Sequence, residues 1–290
     1  MTHVSAIAVP TKEDQPETSA GLSRPVVFIW AAVILAVSAL ANSADAISPP
    51  SQPDIATGLA SVGVFQFLGW YAVFRLLTAS DRSRPARWTD VMACLLLCTI
   101  VLLPSHRSTW IAATGLAGCL IIRSQADRNL RSAGIVLAAL SVQAFWGPIL
   151  FGLLSFPILN VETEVVAAIL NITGVGATWH QNIVTVPGGH AILILSGCSS
   201  FHNISLGLLI WLTLSRLRGQ SWTPRRIFTG LVIAACVVIC NSARLYMMAL
   251  SAEQFTYWHD GPGASIFAVG VSLLVLILSL IATRGEATLA

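Results

Sequence analysis

The chain has 290 residues, 55% of them apolar and only 10% charged, with a net charge of +3. Soluble domains carry about 25% charged residues, so this composition excludes an ordinary globular core and indicates a membrane protein. The positive excess is too small to argue for nucleic acid, and no basic stripe interleaved with aromatics accompanies it. Lys12 is the single lysine among sixteen basic residues, and the arginines bear on topology instead.

Residues 1–24, "MTHVSAIAVPTKEDQPETSAGLSR", are polar and mixed in charge. They lack the basic segment followed directly by an apolar run that marks a secretory signal. They read as a disordered cytoplasmic tail, with the first apolar run an uncleaved anchor. A spanning helix needs about 20 mainly apolar residues. Eight runs qualify: 25–43, 57–78, 89–104, 109–122, 133–156, 199–217, 227–250 and 264–283. The third and fourth are short, separated by "PSHRS", and read as a tight helical hairpin. Residues 25–283 read as one transmembrane domain and 284–290 as a second cytoplasmic tail. The expected fold is an all-α polytopic integral membrane protein of about eight transmembrane helices.

Segments flanking spans on the cytoplasmic side are enriched in Lys and Arg. With the N-terminus inside, the cytoplasmic segments collect every basic residue except Arg107 and Arg244. Both termini are then cytoplasmic. The outer side holds short loops and one long segment, 157–198, which opens the half of the chain (157–270) that carries the candidate site. Its first part, "LNVETEVVAAILNITG", has helical apolar spacing suited to lying along the interface. In "NIVTVPGGHAILIL", two β-rich stretches flank Pro187-Gly188-Gly189, a hairpin-like arrangement just before the sixth span.

Cys94, Cys98, Cys119, Cys236 and Cys240 lie inside apolar runs, where cysteine behaves as a small hydrophobe. The i,i+4 pairs among them lie in apolar runs with no histidine at ligand spacing, so no metal is expected. Cys198 differs, because it stands at the outer start of the sixth span. A helix N-terminus favours thiolate over thiol, although a small residue easing entry between Gly197 and Ser199 would look the same. Arg244 lies inside the seventh span, 17 residues after Ile227 and so about 26 Å along the helix. That places it near the outer boundary. It is either a snorkelling side chain or a functional intramembrane charge, with Asn241 one turn earlier able to orient it. His259, in the outer loop before the last span, can exchange a proton near neutral pH. Asp260 beside it reads as a loop solubiliser. His202, one turn below Cys198, is an alternative base, while His180 and His190 read as surface or substrate contacts.

A Cys opening one span, Asn-x-x-Arg in the next, and His-x-x-x-Gly-x-x-x-Phe opening the last resemble the exosortase/archaeosortase family. Here these are Cys198; Asn241 and Arg244; and His259, Gly263 and Phe267. The glycine-rich hairpin ending in the cysteine is similar too. One departure is that the family commonly has Cys-Ser-Gly where this chain has Cys198-Ser199-Ser200. The resemblance implies a membrane cysteine protease or transpeptidase of the bacterial inner membrane, with its active site on the extracytoplasmic side. The implied substrates are exported proteins ending in a Pro-Glu-Pro-type motif, a transmembrane helix and a basic end. Cys198 would be the nucleophile, His259 the general base and Arg244 the oxyanion or substrate clamp. Asn241, Gly263 and His202 would support them, and no metal or organic cofactor is implied. The partners are then these substrates and membrane lipid, with no nucleic acid. Two other classes stay open: a transporter, for which the spans offer little polar beyond Gln66 and Gln143, and a non-catalytic component of surface-polysaccharide assembly, which would not need Cys198.

Overall fold

The computed structural model describes residues 22–45, 55–103, 105–124 and 127–284. The first 21 residues of the expected N-terminal tail, and all but Arg284 of the C-terminal one, lie outside the described residues. Each apolar run becomes helix: α1 (Arg24–Asp45), α2 (Ile55–Thr78), α3 (Trp88–Val101), α4 (His106–Arg123), α5 (Arg128–Ser141), α6 (Gly147–Ile172), α7 (Ser200–Leu217), α8 (Pro224–Leu250) and α10 (Pro262–Arg284). A short α9 (Ala252–His259) precedes the last. Among the described residues, four helical stretches are long and apolar enough to cross a membrane: Arg24–Asn42, Arg128–Ile172, Pro224–Leu250 and Pro262–Thr283. The 14 residues of α3 rise only about 21 Å against a hydrocarbon core of about 30 Å.

The segment after residue 156 is not a separate element. A single turn of π-helix, Val142–Trp146, joins α5 to α6, and the helix continues unbroken from Arg128 to Ile172. Pro148 explains the wide turn, since its ring would collide with the carbonyl four residues back in α-helical geometry. Gly147 fits there because a Cβ would stand 2.8 Å from the Val142 carbonyl oxygen. Pro157 lies within α6 without ending it, and the glutamates that follow lower hydropathy without stopping a helix.

Three apolar clusters hold the bundle. The first joins α1 to α5 with Leu209 of α7, and the second joins α7, α8 and α10. The third joins the C-terminal half of α6 and the end of α8 to a three-stranded antiparallel sheet. Its strands are β1 (Thr178–His180), β2 (Ile183–Thr185) and β3 (Ala191–Leu193). Strands β2 and β3 form the hairpin expected around Pro187-Gly188-Gly189, with Val184 opposite Ile192. Val184, Val186, Ile192 and Ile194 turn inward, as period-two alternation requires. Strand β1 adds to β2 through a two-residue turn in which Gln181 has φ +53°.

The arginine-rich segments gather at one end of the bundle. Buried Asp90 at the start of α3 accepts from Arg24 Nε of α1 at 3.0 Å and lies 3.6 Å from Arg123 Nε of α4. The Asp81 amide donates to Asp127, tying the α2–α3 and α4–α5 connections together. Arg218 donates to Thr283, joining the ends of α7 and α10. At the opposite end, Ser38 and Asn42 of α1 meet Thr109 of α4 at 2.8 and 3.0 Å.

Candidate active site

Residue order brings the sheet to the site. Strand β3 runs through Leu195 into a single 3₁₀ turn, Ser196–Cys198, and α7 begins at Ser200 with Ser199 as its N-cap. Ser199 Oγ accepts from the Phe201 amide at 3.3 Å, a standard use of serine at a helix start. Cys198 is 5% exposed and packs in the apolar cluster beneath the sheet. Its backbone is held from two directions: its amide donates to the Leu195 carbonyl at 2.9 Å, and its carbonyl accepts from Asn241 Nδ2 at 2.8 Å. The spacing of Asn241 and Arg244 suggests that the amide orients the arginine, but its contact is with the cysteine instead. The Asn241 Oδ1 is buried and has no partner among the described residues.

Arg244 lies one turn further along α8. Its Nε donates to the Trp258 carbonyl at 3.0 Å, and its guanidinium stands 5.0 Å from the centre of the Phe267 ring. Its side chain lines a small cavity together with Gly197, the residue before Cys198. The aromatic of the His-x-x-x-Gly-x-x-x-Phe pattern thus supports the arginine. The glycine has a packing role: a Cβ on Gly263 would stand 2.7 Å from Tyr257 ring carbons and 2.8 Å from the Tyr257 carbonyl oxygen. Only glycine lets α10 start this close to α9.

His259 is the last residue of α9. Its Nδ1 lies 2.6 Å from Asp260 Oδ1, and its ring stacks on Phe255 at 4.8 Å. The reading of Asp260 as a mere solubiliser is therefore corrected. Neighbours in sequence meet here because α9 ends between them, turning Asp260 back on the ring. A carboxylate on Nδ1 fixes the tautomer that leaves Nε2 free to accept a proton.

Two cavities flank the cysteine turn. The larger, about 610 Å³, opens between α6 and α7 and is lined by Phe151, Ser155, Ser196, Gly197, Ser199 and His202, among others. The smaller, about 130 Å³, holds Gly197, His202, Asn203, Arg244 and Phe267. Gly197 and His202 belong to both, and a Cβ on Gly197 would meet nothing within 4 Å. Asn241 meets Cys198 at its carbonyl, and Arg244 and His202 line the smaller cavity beside Gly197, while Cys198 itself lines neither cavity. His259 joins them through the Trp258 carbonyl that precedes it, without lining either cavity. His180 is exposed on β1, and His190 Nε2 lies 3.1 Å from the Met248 carbonyl oxygen, docking the hairpin on the end of α8. Among the described residues, no group of three His, Cys, Asp or Glu side chains converges as a metal site.

Glu162 of α6 is the residue that sequence reasoning missed. Its Oε1 accepts from Ser199 Oγ at 3.1 Å, from the Ser200 amide at 2.8 Å and from Ser200 Oγ. A carboxylate on an N-terminal amide is well placed against the helix dipole, and this one clamps the turn that carries Cys198. The signal available was the polar i,i+2 pair Glu162 and Glu164 in an otherwise apolar stretch.

Residues 50–276 match the transmembrane exosortase family, and the chain belongs to it. No curated protein and no solved structure matches it significantly.

Proposed function

We propose that the chain is a membrane cysteine endopeptidase or transpeptidase that cuts C-terminal sorting signals of exported proteins at the extracytoplasmic face of a bacterial inner membrane. The observation that carries this reading is the setting of Cys198. It sits just before α7, its carbonyl held by Asn241, and Gly197 beside it shares a small cavity with Arg244. In the reaction, His259 accepts the Cys198 thiol proton and the thiolate adds to the scissile carbonyl carbon. The oxyanion faces Arg244, a planar multi-donor group suited to it. The C–N bond breaks, His259 protonates the departing amine, and a thioester remains on Cys198. Water or an amine then adds to the thioester and releases the thiolate.

His202 is a competing base, favoured by its place in both cavities beside Gly197. The test coexpresses the chain with an exported protein ending in a Pro-Glu-Pro motif, an apolar helix and an arginine cluster. Cleavage should vanish in Cys198→Ala, and Arg244→Lys should cut it roughly 100-fold or more at matched membrane levels. His259→Ala should abolish turnover while His202→Ala retains most of it. Processing by Cys198→Ala would end the protease reading, and the reverse pattern of the two histidines would exchange their roles.

A further inference from the structure

A second groove runs toward the other end of the bundle. It encloses about 520 Å³ between α5 and α7, and its walls are apolar except for Gln143 and Ser205. Ile135 and Ala139 form the α5 wall, Leu208 and Leu212 the α7 wall, and Trp211 with Trp222 the end wall. The two helices run antiparallel, and each continues past the groove by one turn to an arginine. Arg131 precedes Ile135 by four residues, and Arg216 follows Leu212 by four.

Arg216 is an unusual side chain for a helix end. It is 7% exposed, its guanidinium lies 4.2 Å over the Trp222 ring, and one Nη1 bond goes to the Gln220 carbonyl at 3.1 Å. Its Nε is buried with no partner among the described residues. Among the described residues, neither Arg131 nor Arg216 pairs with a carboxylate. Arg216 is thus a buried cation, only partly hydrogen-bonded and stacked on a tryptophan of the groove's end wall, an arrangement suited to an anion that carries a hydrocarbon chain.

We propose that an anionic phospholipid occupies this groove, its phosphate against Arg131 and Arg216 and one acyl chain between α5 and α7. Basic pockets between helices at a membrane surface bind anionic headgroups in this way, each arginine contributing about 1 kcal/mol. Trp222 forms the floor between headgroup and chain, where an amphipathic ring belongs.

The test uses the purified full-length chain in detergent, with phosphatidylglycerol and phosphatidylcholine of identical acyl chains. Lipid retention is read by native mass spectrometry and stability by thermal denaturation. Phosphatidylglycerol should be retained and raise the Tm, phosphatidylcholine should do neither, and glycerol phosphate without acyl chains should have no effect. Arg131→Gln and Arg216→Gln should each weaken retention about fivefold. Ala139→Leu, which fills the slot and keeps both arginines, should weaken it too. Should Arg216→Gln fail to fold, Arg131→Gln and Ala139→Leu decide the outcome. Equal retention of the two lipids, a Tm shift from glycerol phosphate alone, a lipid-insensitive dimer, or wild-type retention by Arg131→Gln and Ala139→Leu would each overturn the proposal.

Discussion

Glu162 serves three donors with a single oxygen, while its Oε2 is buried without a partner among the described residues. Removing an acceptor from buried donors costs about 1–3 kcal/mol. Glu162→Ala should therefore lower thermal stability by that order and slow cleavage further, because the freed turn carries Cys198. Glu162→Gln keeps an acceptor oxygen and should stay close to wild type in both assays. Equal damage from the two would show that charge, not position, is what the site requires. Gly263 makes a sharper case. Its missing Cβ is what lets Tyr257 sit against the start of α10, and overpacking of this kind costs about 1–3 kcal/mol. Gly263→Ala should lower the Tm measurably and disturb Arg244, whose Trp258 acceptor adjoins that tyrosine.

The sheet covers the cysteine, and its hairpin depends on Gly188 and Gly189, at φ +99° and +85°. A side chain held in the left-handed region costs about 1–2 kcal/mol. Gly189→Val should loosen the hairpin and speed alkylation of Cys198 by a maleimide; an unchanged rate would mean that the sheet does not shield the thiol. Much at this scale was legible in the sequence, since hydropathy marked each long helix and the Pro-Gly-Gly turn marked β2 and β3. Three features were not. The continuation of α6 was hidden because Pro157 and Glu162 interrupt the apolar signal, while the helix carries on past the single backbone bond that Pro157 cannot make. Strand β1 is three residues long, and its turn uses Gln181 rather than a glycine. Helix α9 did carry a signal, Ser251 followed three residues later by Gln254, whose amide donates to Ser251 Oγ at 3.2 Å. That is the spacing of a helix start, obscured by its place between two longer apolar runs. The site was legible as residue types, but Glu162 was out of reach because its role depends on a contact made across 38 positions.

The whole bundle is pinned at its arginine-rich end by Asp90, whose side chain is fully buried between Arg24 and Arg123. Deleting one member of a buried ion pair costs about 3–5 kcal/mol, because a buried charge is left behind. Asp90→Ala should therefore unfold at lower temperature by a wide margin and give less folded protein in membranes, although it lies at the far end from Cys198. A wild-type Tm would mean that water reaches Arg24 freely. The long helix links the two ends. Phe151 and Glu162 are separated by about 16 Å of helix, yet both reach the first two residues of α7, Phe151 by ring contact at 5.3 Å and Glu162 by its bond to Ser200. The stretch of α6 between them therefore lies across the start of α7 like a bar across a doorway. Glu162 is about 24 Å beyond the π-helical turn, so a swing of only about 5° there displaces its carboxylate by about 2 Å. Hydrogen bonds weaken well within such a displacement. Val142, in that turn, also lines the groove between α5 and α7, so one turn of helix is shared by the wall of that groove and by the arm whose carboxylate latches the cysteine turn.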